Sequence, residues 1–102
     1  MVPFISIDSL IESLHNQEAL LLVDIRTKEE FEARHIPNSI HIPGEDLPMG
    51  LPENGNQVPL VTICGKGGGR SEQAAQKLIS LGFQAKFLEG GTNEWFEKNH
   101  VV

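Results

Sequence analysis

The chain has 102 residues and an apolar fraction of 39%, enough for one compact core without disulfides or a structural metal. Acidic residues outnumber basic ones 14 to 8, and the net charge of −6 excludes a broadly basic surface for nucleic acid. A single cysteine excludes an internal disulfide, and His15, His35, His41 and His100 show no ligand spacing around it that would make a zinc site.

Met1 to Ile7 lacks a basic segment followed by a long apolar run, so no signal peptide is expected. No stretch approaches the length needed to span a bilayer, and the cytoplasm is the expected compartment. Ser6 can cap a helix that carries Leu10, Ile11 and Leu14 on one face and Asp8 in its first turn. The apolar run Ala19 to Val23, ending at Asp24, does not alternate, which suits a strand covered on both faces. Thr27 can cap a second helix, Lys28 to Ala33, with Glu29 and Glu30 in its first turn. Ser39 to Ile42 follows as a short strand, and Gly44 to Gln57 reads as a turn-rich surface loop with room for one helical turn.

Leu60 to Ile63 is a second fully apolar-type strand and runs directly into Cys64. Ala74, Ala75, Leu78 and Leu81 recur at helical spacing over Ser71 to Leu81, with Gly82 as the stop. Ala85 to Leu88 is a further strand, Gly90 and Gly91 turn the chain, and Thr92 is placed to cap a last helix bearing Trp95 and Phe96. Strands alternating with helices imply a single α/β domain over residues 1–102, an open parallel sheet with helices on both faces. In such folds ligands bind at the carboxyl ends of the strands, where Asp24 and Cys64 both fall.

The segment Cys64-Gly65-Lys66-Gly67-Gly68-Gly69-Arg70-Ser71 carries the chemistry. Four of the five residues between Cys64 and Arg70 are glycine, and the segment joins a buried strand to a helix. Glycines permit a tight loop whose N–H groups turn inward as an anion nest, and the helix that follows adds the positive end of its dipole. Lys66 and Arg70 add full charges. Each effect favours a thiolate over a thiol, so the loop is expected both to activate Cys64 and to hold an anionic substrate. The alternative is a flexible surface turn with an ordinary thiol.

Val23-Asp24-Ile25-Arg26, then Glu29, Phe31 and the run His35 to Pro43, resemble the first signature stretch of the rhodanese (sulfurtransferase) family. Leu88-Glu89-Gly90-Gly91 with Trp95 resembles its C-terminal signature, and Cys64 falls where that family carries its catalytic cysteine. The resemblance covers nearly the whole chain. It implies a rhodanese-like α/β fold, a small five-stranded parallel sheet flanked by helices on both faces. It also implies a Cys64 persulfide that takes sulfur from a small anionic donor, thiosulfate or a persulfide, and passes it to a thiol or cyanide. No metal or organic cofactor, nucleic acid or membrane is implied.

The sequence departs from the family pattern in three places. Arg34 and Asn38 stand where glycines usually flank His-Ile-Pro. Five residues separate Cys64 from Arg70, one more than in many single-domain sulfurtransferases. That longer loop resembles the dual-specificity phosphatases and arsenate reductases of this fold, which makes a phosphate- or arsenate-directed enzyme the alternative. Against it, Ile63 precedes the cysteine where those phosphatases carry histidine, and no general acid can be placed. A non-catalytic binding or redox-sensing module is the third reading, and a buried Cys64 with an unshifted pKa would support it.

Lys66 is expected to hold the donor's sulfonate or stabilise the persulfide, the alternative being a solvent-exposed lysine. Arg70 is expected either to bind the anion or to pair with a carboxylate and fix the loop. Asp24, beside Arg26 at a strand end, is expected to serve in a structural ion pair or a helix cap rather than in catalysis, and Asp24, Arg26 and Ser71 are expected as supporting residues. His35 is expected to fix its own turn, and Trp95 and Phe96 to pack in the core.

Overall fold

The computed structural model describes residues 2–98, so His100 lies outside the described residues. Five strands form one sheet: β1 (Phe4–Ile5), β2 (Leu21–Asp24), β3 (Ile40–His41), β4 (Leu60–Ile63) and β5 (Ala85–Leu88). Their spatial order is β1-β5-β4-β2-β3 and every pairing is parallel. Four helices connect them, α1 (Ile7–His15), α2 (Lys28–Ala33), α3 (Arg70–Ser80) and α4 (Gly91–Lys98). Two short 3-10 turns, Gly44–Asp46 and Glu53–Asn56, fill the loop before β4.

The central strand β4 is buried at all four positions, which accounts for its unalternating apolar sequence. Leu60 packs into a cluster with Val23, Ala74, Ala75, Leu78 and Phe87, the α3 side of the sheet. Val61 and Ile63 point the other way, into a cluster with Ile7 and Leu10 of α1 and Trp95 of α4. The sheet is therefore covered on both faces, and each fully buried aliphatic side chain stabilises the fold by about 1.5–3 kcal/mol. No helix among the described residues is long and apolar enough to cross a membrane.

The helix starts follow local chemistry. The Ser6 hydroxyl accepts from the Ser9 N–H at 3.1 Å, and Thr27 and Glu30 form a reciprocal capping box at α2. α3 begins at Arg70, one residue before the expected start, behind Gly69 with φ +50° and no side-chain cap. Thr92 does not cap α4. The helix already begins at Gly91, and the Thr92 N–H is spent on the Cys64 carbonyl at 2.9 Å. The edge strand β1 was not expected. It is only two residues long, and its Phe4 is half exposed, so it carries no apolar run to read.

Candidate active site

Parallel register aligns the strand ends that build the site. Asp24 pairs with Ile63, so the end of β2 lies beside the residue before Cys64, and the Ile25 N–H bonds to the Ile63 carbonyl at 3.0 Å. Cys64 thus leaves the middle of the sheet at its carboxyl edge, and the glycine loop carries the chain from there into α3. A cavity of about 580 Å³ opens there, and its walls include Cys64, Lys66, Arg70, Arg26, Glu30 and Asn93.

Backbone-to-backbone packing holds the loop. The N–H groups of Thr92 and Asn93, in the first turn of α4, donate to the carbonyls of Cys64 and Gly65 at 2.9 and 3.0 Å. Gly67 has φ +77° and lies so close to the Gly90 and Gly91 backbone that a Cβ would overlap it. Gly91, at φ +59°, is equally tight against the Cys64 and Gly65 carbonyls. These glycines are required by close approach. Gly68 and Gly69 instead face open space.

The thiol is only 3% exposed, and its Sγ lies 3.2 Å from the Ser71 Oγ and 3.1 Å from the Gly68 carbonyl. Burial is the largest single influence on its pKa and pushes it up. The Ser71 hydroxyl and the backbone N–H groups of Gly68, Ser71 and Gly67 together outweigh burial and bring the pKa below 9.0. The expected inward turn of the loop amides needs one correction. The Gly68 carbonyl also faces the sulfur and accepts its proton, because Gly68 O simultaneously receives the Ser71 N–H at 3.2 Å in closing the first turn of α3. That carbonyl favours the protonated thiol and limits the lowering. A buried cysteine with an unshifted pKa, the mark of the non-catalytic reading, is not what is found.

The cations are arranged unequally. Arg26 is buried and forms a forked ion pair with Asp24, with Nη2 to Oδ2 at 2.8 Å, while the same Nη2 donates to the Arg34 carbonyl at 2.7 Å. Arg70 reaches Glu30 with Nη1 and Nη2 at 3.2 and 3.4 Å. Lys66 is exposed on the cavity wall. Of the two roles open to Arg70, carboxylate pairing is the one observed. Ser71 is fully buried and tied to both the thiol and β4, where the Thr62 hydroxyl donates to its carbonyl at 2.8 Å.

Glu30 and Asn93 line the cavity and were not expected there from the sequence. The pattern Thr27-x-x-Glu30 signals a helix cap, and nothing local signals that the Glu30 carboxylate also meets Arg70 forty positions on. Arg70, then the Thr27 N–H, hold the Glu30 carboxyl down at about 2. His35 does not line the Cys64 cavity: its Nδ1 bonds to the Phe31 carbonyl at 2.9 Å and its ring stacks on Phe31. Trp95 packs in the core, and Phe96 lies partly buried beneath the Arg34 guanidinium at 4.5 Å. Asn38 has φ +70°, which is why glycine suits that position and asparagine can replace it.

The family model described as Rhodanese-like domain matches residues 6–98. The chain is 32% identical over 80 residues to the thiosulfate sulfurtransferase GlpE of Pseudomonas syringae, an alignment covering 78% of this chain and 74% of that one. It is 31% identical over 98 residues to the putative sulfur carrier protein YrkF of Bacillus subtilis, covering 95% of this chain and 52% of that protein, about half its length. The structure of the human single-domain sulfurtransferase TSTD1 superposes with a TM-score of 0.82 at 30% identity, covering 97% of this chain and 99% of the human one.

Proposed function

Because this chain belongs to the rhodanese-like domain family, we propose that it is a sulfurtransferase that carries a sulfane sulfur on Cys64. One observation supports this above the others. The chain's lone thiol sits at the carboxyl edge of the parallel sheet, in a cavity, with Ser71 and loop amides lowering its pKa.

In the first half-reaction the Cys64 thiolate attacks the outer sulfur of the donor. Its electron pair forms the new S–S bond, and the pair of the old bond leaves with sulfite, when thiosulfate is the donor, or with a thiolate, when a persulfide is. The product is Cys64–S–S⁻. In the second, an acceptor thiolate or cyanide attacks the terminal sulfur and the Cys64 thiolate is released. No proton is transferred in either step, so no general acid is needed. The loop amides near Sγ and the Lys66 charge are suited to hold the terminal sulfur of the persulfide.

Hydrolysis of a phosphate monoester asks for more. A leaving alkoxide needs a proton, and the carboxylate on the cavity wall, Glu30, is ionised down to about pH 2 and locked to Arg70. The length of the loop alone therefore does not carry the phosphatase reading.

Intact-protein mass spectrometry after incubation with thiosulfate or an alkyl persulfide tests the proposal. One added sulfur atom, removed by cyanide with release of thiocyanate, is the expected result. The Cys64→Ser variant should fold, take up no sulfur and transfer none. Sulfur transfer retained in that variant would sink the proposal.

A further inference from the structure

We infer that Glu30 is a specificity-determining residue, selecting monoanionic sulfane donors, such as the persulfide of an uncharged thiol, over dianionic oxyanion donors such as thiosulfate. The inference deepens the sulfur-transfer reading of the same site and rests on it.

The argument is one of charge in a small space. The cavity at Cys64 has three cations on its wall, Arg26, Lys66 and Arg70. Two are already neutralised. Arg26 is bonded to both oxygens of Asp24, and Arg70 is bonded to both oxygens of Glu30. Lys66 has no ion pair among the described residues, which leaves one cation on the wall to offset the charge of the Cys64 thiolate. Every charge that a donor brings is then uncompensated, and a dianion brings twice what a monoanion does.

An incoming anion must compete with Glu30 for Arg70. The Glu30 Oε1 also accepts from the Thr27 N–H at 3.0 Å and the Thr27 hydroxyl at 3.2 Å, so the carboxylate is anchored by the first turn of α2. Its low pKa, about 2, keeps it charged at every working pH. An oxyanion donor would have to compete with a carboxylate that the fold holds in place.

Glu30→Gln is the informative substitution, because glutamine at this position still completes a capping box while the charge is removed. The freed Arg70 charge acts twice as strongly on a dianion as on a monoanion. A gain of roughly threefold for the monoanion therefore becomes roughly tenfold for the dianion. Second-order rates of Cys64 sulfur loading would be measured with thiosulfate and with the persulfide of 2-mercaptoethanol, in wild type and variant. The thiosulfate-to-persulfide ratio should shift about threefold towards thiosulfate, and the shift should shrink with added salt. It should vanish in the double variant Glu30→Gln, Arg70→Ala.

A second readout does not depend on turnover. Sulfate should protect Cys64 from iodoacetamide, and Glu30→Gln should lower the half-protecting concentration roughly tenfold, against roughly threefold for nitrate. If the wild type loads sulfur but both ratios stay unchanged, the role assigned to Glu30 is wrong. If protection shifts as described and no donor loads Cys64, the charge selection stands and the sulfur-transfer reading falls.

Discussion

The Cys64 thiol is balanced between opposing effects. Burial alone would raise its pKa, and the Ser71 hydroxyl with the loop amides reverses the sign. Ser71 itself is positioned from below by Thr62, so a β4 side chain indirectly sets the chemistry one turn above it. Replacing Ser71 by alanine should therefore raise the Cys64 pKa and slow alkylation at neutral pH. Iodoacetamide rates against pH check this. The wild-type midpoint should fall below the ordinary thiol value of 9.0, and the variant's midpoint should move back towards it. The same shift has a stability consequence. A thiol whose native pKa is depressed contributes stability that is fully present above the unfolded value and is lost as pH falls through the native one. Wild type should therefore gain stability relative to Ser71→Ala as pH rises through that window. Identical alkylation midpoints in the two proteins would remove the hydroxyl from the account.

At the scale of elements, the glycine loop divides into two parts that its sequence does not distinguish. Gly67 is locked against the Gly90–Gly91 turn in a left-handed conformation, whereas Gly68 has neither a positive φ nor a neighbour where a Cβ would stand. The loop and the start of α4 form one interlocked unit, since Thr92 and Asn93 also donate to the Cys64 and Gly65 carbonyls. Gly67→Ala should cost about 2 kcal/mol or more, through strain and overlap, and should lose sulfur loading with it. Gly68→Ala should stay within about 1 kcal/mol of wild type. Urea midpoints, with loading measured on the same samples, separate the two. Equal effects would mean that the loop is not seated on Gly90 and Gly91 as described. The same contrast explains what could be read beforehand. A cluster of glycines next to a cysteine announces a tight loop at the strand end, but which glycine is required depends on a turn more than twenty residues later, and no local pattern carries that.

Across the whole molecule, legibility followed the range of the interaction. β4, β5 and α2 were read with their ends because each depends on its own apolar run or cap, and the parallel sheet followed from their alternation. β1 escaped because a two-residue edge strand is made by its partner β5 rather than by its own residues. Glu30 escaped for a similar reason, since its pairing with Arg70 joins α2 to α3 across the mouth of the site. The Asp24–Arg26 pair was legible because two residues on a strand end can meet locally, yet its reach is global. Arg26 ties the end of β2 to the end of α2 through the Arg34 carbonyl, and its own carbonyl accepts from His41 Nε2, on β3, at 2.7 Å. Both charges are buried, Asp24 at 0% and Arg26 at 6% exposure. Breaking such a pair from one side strands the other charge, which costs about 3–5 kcal/mol, whereas replacing both partners by apolar residues of similar size is near neutral. Asp24→Ala should accordingly lower the urea midpoint severely and loosen the Cys64 end of the sheet. The double variant Asp24→Leu, Arg26→Met should recover most of that loss. If Asp24→Ala cost under about 1 kcal/mol, or the double variant were the worse of the two, the pair would not be what holds the three element ends together.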